Sequence, residues 1–156
     1  SGTVGAAMEG ALQGIPSIAI SQYYGPKNIT LDNPFEAALF HLAPLIKNIF
    51  ESGPWAGSNY YTFYNINVPP TPSNDVKGIK VVSQGLRKTK FGVEPSVAPN
   101  GRNFLWIKGN RQDVPTAENT DVHANLNGYI SVTPMDCDLT RYDLLNDLKK
   151  KLECNN

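Results

Sequence analysis

Two periods of apolar residues run through this chain, and each change of period marks an element boundary. Met8, Ala11 and Leu12 share one helical face. With Ser1 as N-cap and Gly14 as the stop, they predict a helix over residues 1–14. The run Ile15-Pro16-Ser17-Ile18-Ala19-Ile20-Ser21 is short and rich in isoleucine, the pattern of a parallel strand buried on both faces. Residues 22–32 are a polar loop. Asn33-Pro34-Phe35-Glu36 then reads as the N-cap, first-turn proline and capping-box glutamate of a second helix. That helix continues through Ala37, Leu42, Leu45 and Ile49 to Ser52-Gly53-Pro54, and Pro44 is expected to kink or split it.

The period then shortens. Tyr60–Val68 is a β-prone run ending at Pro69-Pro70, and Lys77–Gln84 predicts another strand on Ile79, Val81 and Val82. Phe91–Lys108 reads as a hairpin around Pro99-Asn100-Gly101, with Asn-Gly as the turn signal. Gly109–Asn119 is loop, Thr120–Asn127 a short helical turn, Gly128–Pro134 a strand and Leu139–Leu152 an amphipathic terminal helix. A helix followed by a buried parallel strand argues for an α/β layer architecture.

Composition narrows the function classes. The 156 residues suffice for one core, and roughly 70% of the unfolded surface of such a chain is buried on folding. Lys plus Arg and Asp plus Glu both number 14, so bulk attraction to a nucleic-acid polymer or a membrane is disfavoured. Arg87-Lys88-Thr89-Lys90 and Lys149-Lys150-Lys151 read as solvated charge, the latter also complementing a helix C-terminus. No apolar run approaches the roughly 20 residues of a membrane span, and no signal-peptide pattern is present. Cys137 and Cys154 lack metal-ligand spacing and suit free thiols in a reducing compartment, so a cytoplasmic location is expected.

Candidate chemistry is sparse. Ser1-Gly2-Thr3 opening a helix offers free N–H groups, hydroxyls and the positive end of the helix dipole to an anion. Gly2 has no Cβ to obstruct it. An ordinary helix cap is the competing reading. His41 lies mid-helix and is expected to pack there. His123, in a loop-like stretch, has the better claim to a site but lacks a second ligand at metal spacing. Asp136 and Asp138 flank Cys137. They suit a hard cation, or more simply Asp138-Leu139-Thr140 supplies the last helix with its N-terminus. No Walker loop, Rossmann fingerprint or nucleophile elbow is present.

Several stretches together resemble the SurE (survival protein E) family. They are Ser1-Gly2-Thr3-Val4-Gly5-Ala6-Ala7 with Gly14–Ser21, then Asn65-Ile66-Asn67-Val68-Pro69, Thr120-Asp121 with Ala124, and Gly128–Met135 followed by Asp138-Leu139-Thr140. The resemblance implies a Rossmann-like α/β fold with a protruding β-hairpin and a C-terminal helix, both exchanging contacts between subunits of a homodimer or homotetramer. It implies a divalent-metal-dependent (Mg²⁺ or Mn²⁺) nucleotidase acting on nucleoside 5′- or 3′-monophosphates. Ser1, Gly2 and Thr3 inherit the phosphate contact. The family's metal ligands correspond to no residue here and are expected upstream of Ser1. The whole chain then reads as the C-terminal portion of one domain: core elements over 1–84, a hairpin region over about 85–119, and a closing strand and helix over 120–156. On this reading residues 1–156 alone are expected to be catalytically inactive and poorly stable. The alternatives are a non-catalytic SurE-like remnant acting as a binding or assembly module, and an unrelated phosphate-binding α/β domain.

Overall fold

A computed structural model describes residues 2–57, 59–86, 92–109 and 113–153. Ser1, Cys154, the Arg87–Lys90 run and Phe91 therefore lie outside the described residues. The chain forms α1 (Gly2–Leu12), β1 (Ser17–Gln22), α2 (Glu36–Ser52), β2 (Phe63–Val68), β3 (Ile79–Val81), β4 (Gly92–Val97), β5 (Asn103–Lys108), α3 (Asp121–Leu126), β6 (Ile130–Met135) and α4 (Tyr142–Leu152). Four strands make a mixed sheet in the order β1-β2-β6-β3. β1 runs parallel to β2 and β3 parallel to β6, while β2 and β6 are antiparallel. This is the α/β architecture expected from the pattern.

Strand alternation sorts the sheet into two faces. Tyr64, Ile66 and Val68 of β2 and Ile130 and Val132 of β6 join Ala37, Leu45 and Ile49 of α2 in the larger core. On the opposite face, Phe63 and Ala19 meet Ala7 and Ala11 of α1, with Val4, Met8, Met135 and Cys137 around them. The seated stripe of α1 is thus Val4-Ala7-Met8-Ala11, and Leu12 is exposed rather than packed. Gly14, at φ +74°, ends the helix as expected. A Cβ on Gly10 would meet the Ser17 hydroxyl at the start of β1, whereas Ala7 shares its cluster with Ala19 further along. The helix therefore runs antiparallel to β1, and its N-terminus points to the carboxyl ends of β1 and β2.

Several expectations are corrected. β1 starts at Ser17, only Ala19 in it is buried, and it forms an edge of the sheet among the described residues. Ile18 and Ile20 pack only partly buried against the larger core, and Ala19 is the strand's buried contact with α1. The capping box before α2 does not form. Asn33 Oδ1 accepts from Phe35 N at 3.0 Å, and Glu36 Oε1 accepts from Ser73 N at 2.8 Å. A tertiary donor has displaced the local one, and the helix begins at Glu36. Pro44 does not split α2, which is continuous to Ser52.

Tyr60 and Tyr61 stay outside β2, and β3 is three exposed residues rather than eight. β3 also sits at a sheet edge. The β4–β5 hairpin forms as its own two-stranded sheet, with Gly101 at φ +80° in the turn. α4 starts at Tyr142, not Leu139.

Candidate functional site

The first turn of α1 carries the candidate anion site. Gly2 and Thr3 are exposed, and a Cβ built on Gly2 would meet no atom within 4 Å, so an anion can approach the first free amides. The first turn contains no acidic residue to repel it. Its place at the carboxyl ends of two parallel strands is where α/β sheets open a crevice for ligands. Ser1, the third sequence-predicted site residue, lies outside the described residues.

Beside this turn the sheet face becomes polar. Asn65 and Asn67 follow Phe63 at two-residue intervals and so share the α1 face. Their register partners are Thr133 and Ser131 on β6. Lys80 of β3 is in register with Ser131, and its Nζ lies 4.1 Å from the centre of the Tyr129 ring. Spacing alone could not assign Ser131 and Thr133 to this end of the molecule, because the pairing that brings them there spans some 64 to 68 residues of chain.

The histidines and the paired aspartates are not part of this arrangement. His41 packs through α2, with Nε2 2.9 Å from the Ser73 carbonyl. His123 is in α3 rather than in a loop, and its backbone N donates to the Thr120 hydroxyl that caps that helix. Asp121 is buried and structural: Oδ1 accepts from Gly85 N at 2.8 Å and Val122 N at 2.7 Å. With the Ser83–Thr120 bridge it ties the two roots of the hairpin arm together. The Thr-Asp dipeptide carried a readable N-cap signal for this role.

Asp136 and Asp138 fold into a turn at the far end of β6. Asp138 N donates to Asp136 Oδ1 at 3.0 Å, Thr140 N donates to Asp138 Oδ1 at 2.9 Å, and the Tyr142 hydroxyl donates to Asp138 Oδ2. These bonds from Thr140 and Tyr142 hold the Asp138 carboxyl below the usual carboxylate range and push the Tyr142 phenol up. Asp138 thus organises the approach to α4 from outside the helix instead of capping it, because Arg141 separates the turn from the helix start. Burial, with Asp136 and Glu9 nearby, raises the Cys137 thiol, whose Sγ sits 3.6 Å from the Met8 carbonyl.

No group of three or more His, Cys, Asp or Glu among the described residues is arranged to hold a metal ion, so these residues do not fit a resident cation. A cleft of about 740 Å³ lies beside the end of β6, lined by Val81, Gln84, Asn119, Thr133, Met135 and Leu139. Thr133 belongs both to this lining and to the polar face beside Asn65.

Residues 1–91 match the model of the family described as survival protein SurE. The chain belongs to the SurE family. It is 55% identical to the 5′-nucleotidase SurE of Jannaschia sp. (strain CCS1), over 98% of this chain and 59% of that protein. It is 51% identical to the 5′-nucleotidase SurE of Cereibacter sphaeroides (strain ATCC 17025), over 96% of this chain and 58% of the relative. The crystal structure of the SurE protein from Aquifex aeolicus superposes with a TM-score of 0.67 at 37% identity, over 97% of this chain and 57% of that one. This SurE chain therefore spans under three-fifths of the length of the curated relatives it matches. No helix among the described residues is long and apolar enough to cross a membrane.

Proposed function

We propose that this SurE chain supplies the phosphate-binding helix terminus and the assembly surfaces of a 5′/3′-nucleotidase that hydrolyses nucleoside monophosphates. The observation carrying this reading is the open first turn of α1 at Gly2-Thr3, aimed past the carboxyl ends of β1 and β2 in a chain whose relatives are named 5′-nucleotidases. Ser1, Gly2 and Thr3 bind the substrate phosphate: the amides at the start of α1 meet the anion, and serine and threonine bring hydroxyl donors to it. Preorganised amides of this kind also stabilise charge that grows on phosphoryl oxygens during transfer. Divalent-metal dependence belongs to the whole protein in this proposal. Since the described residues do not fit a metal, no step is routed through one here.

Assembly is the second part. Val97, Leu105, Trp106 and Ile107 of the hairpin are exposed, and α4 buries none of its residues although Leu144, Leu145, Leu148 and Leu152 fall on it. Two unpartnered apolar elements on one chain support association with further copies of the same chain, as a homodimer or homotetramer. The domain organisation follows: core over 1–84, arm over about 85–119, closing strand and helix over 120–156, all of one SurE-like domain in the cytoplasm.

The test is a phosphatase assay of the intact protein on nucleoside monophosphates, with and without Mn²⁺. Gly2→Val, which fills the space before the amides, is expected to lower kcat/KM on the order of 100-fold. An intact protein inert on every nucleoside monophosphate would overturn the nucleotidase reading. Metal-dependent activity from residues 1–156 alone would refute the absence of metal ligands from this chain.

A further inference from the structure

We infer that Asn65 and Asn67 bind the sugar hydroxyls of the nucleotide whose phosphate rests on α1. This rests on the nucleotidase reading above. The two carboxamides sit on the α1 face of β2, half-buried. Their distance from the phosphate site follows from the geometry of the two elements. From Ala7, which shares its cluster with Phe63, back to Gly2 is five residues, or roughly 7.5 Å of helix. Along β2, Asn65 lies about 7 Å and Asn67 about 13 Å beyond Phe63. Because α1 and β2 run in opposite directions, the first turn of α1 ends level with Asn65, and Asn67 lies about 5 Å beyond it.

A second, independent observation marks this patch as unfinished. Ser131 and Thr133 stand directly across from Asn67 and Asn65. Ser131 is 0% and Thr133 4% exposed, yet neither hydroxyl has a hydrogen-bond partner. Buried hydroxyls without partners are costly and uncommon in folded proteins, so a pair of them beside two amides calls for a polar occupant. Cross-strand neighbours have Cβ atoms about 5 Å apart, within reach of one another's side chains. The hydroxyls of Ser131 and Thr133 are free to bond the amides when these turn to the ligand, and the amides meet the ligand.

The chemistry selects the sugar. A carboxamide carries both donors and an acceptor and no charge, which matches a vicinal diol, each of whose hydroxyls also donates and accepts. A site for a second phosphate would place several cations here, whereas the one lysine in register with Ser131, Lys80, rests its ammonium over the Tyr129 ring.

The experiment compares adenosine 5′-monophosphate with its 2′,3′-dideoxy analogue on the intact protein, by kcat/KM and by calorimetric binding. The parent should prefer the ribonucleotide by about tenfold or more, since a site built to pair hydroxyls discriminates strongly against their loss. Asn65→Ala and Asn67→Ala should each reduce that ratio several-fold, and the double variant should bring it close to one. Thr133→Val should reduce it partly and Thr133→Ser restore it, which a purely structural role for Thr133 would not produce. Circular dichroism confirms that each variant is folded. A parent ratio near one, or a ratio unchanged in the double variant, overturns this inference and leaves the nucleotidase reading standing. A parent that neither binds nor hydrolyses the ribonucleotide overturns both.

Discussion

Replacing Phe63 with alanine tests how α1 is held in place. Taken alone, this helix is weak. It has 11 residues, fewer than the roughly 12–15 at which isolated helices become even marginal in water. Gly5 and Gly10 together cost it about 2 kcal/mol of helix propensity relative to alanine. Its order therefore comes from packing, and the largest fully buried side chain beneath it is Phe63. A buried Phe→Ala change costs about 3–5 kcal/mol. The middle of that range applies, because Ala7, Ala11 and Ala19 have no side chain to turn into the cavity and only the partly buried Met8 and Met135 do. The assay is urea denaturation of the intact protein, combined with hydrogen exchange read peptide by peptide. Stability should fall by about 4 kcal/mol, and amides of α1 should lose protection before those of β2 and β6. Phe63→Leu, which keeps most of the volume, should cost about 1 kcal/mol. A loss below about 1.5 kcal/mol for Phe63→Ala, or an α1 as protected as in the parent, would show that something other than this contact seats the helix.

Three further outcomes are expected. Gly5→Ala should stabilise the protein by about 0.5–1 kcal/mol, because its new Cβ meets nothing within 4 Å; an unchanged or lower melting temperature would contradict this. Asp138 has a folded pKa depressed by Thr140 and Tyr142, so the stability it adds is present above the ordinary carboxylate pKa and is lost as pH falls through the lower folded value. Amide exchange at Thr140 should therefore accelerate only in strongly acid solution, and Asp138→Asn should abolish that pH dependence. Trp106→Asp, at an exposed position on β5, should shift the mass measured by light scattering to a smaller species; an unaltered mass would remove the hairpin from the interface.

Elements with a strong local period were the most legible. α2, β2, β6 and the hairpin each occur within a few residues of their predicted spans. The errors fall where another partner, near or far, took the bond that the local pattern assigned. Glu36 was expected to cap its own helix and instead accepts from Ser73 N, 37 residues away. Asp138 was read as a cap and instead holds a turn ahead of α4. The Thr120-Asp121 pair looked like part of a motif, and its bonds to Gly85 N and across to Ser83 make it the clasp of the arm.

What the sequence by itself determined is the sequence of helices and strands, the α/β class, the Ser-Gly-Thr opening and the likeness to the SurE family. All are written in short contiguous stretches, where periodicity and turn chemistry act. Only the tertiary structure decided which end of the sheet each side chain serves. The alternation of a strand puts Asn65, Asn67, Ser131 and Thr133 on one face, but it took the antiparallel pairing of β2 with β6 to bring the four together. It took the seating of α1 on Phe63 to set Gly2 and Thr3 above them. The reason is physical: a strand's register and a helix's seat are settled by burial against residues far away in the chain, and no local pattern records which partner wins.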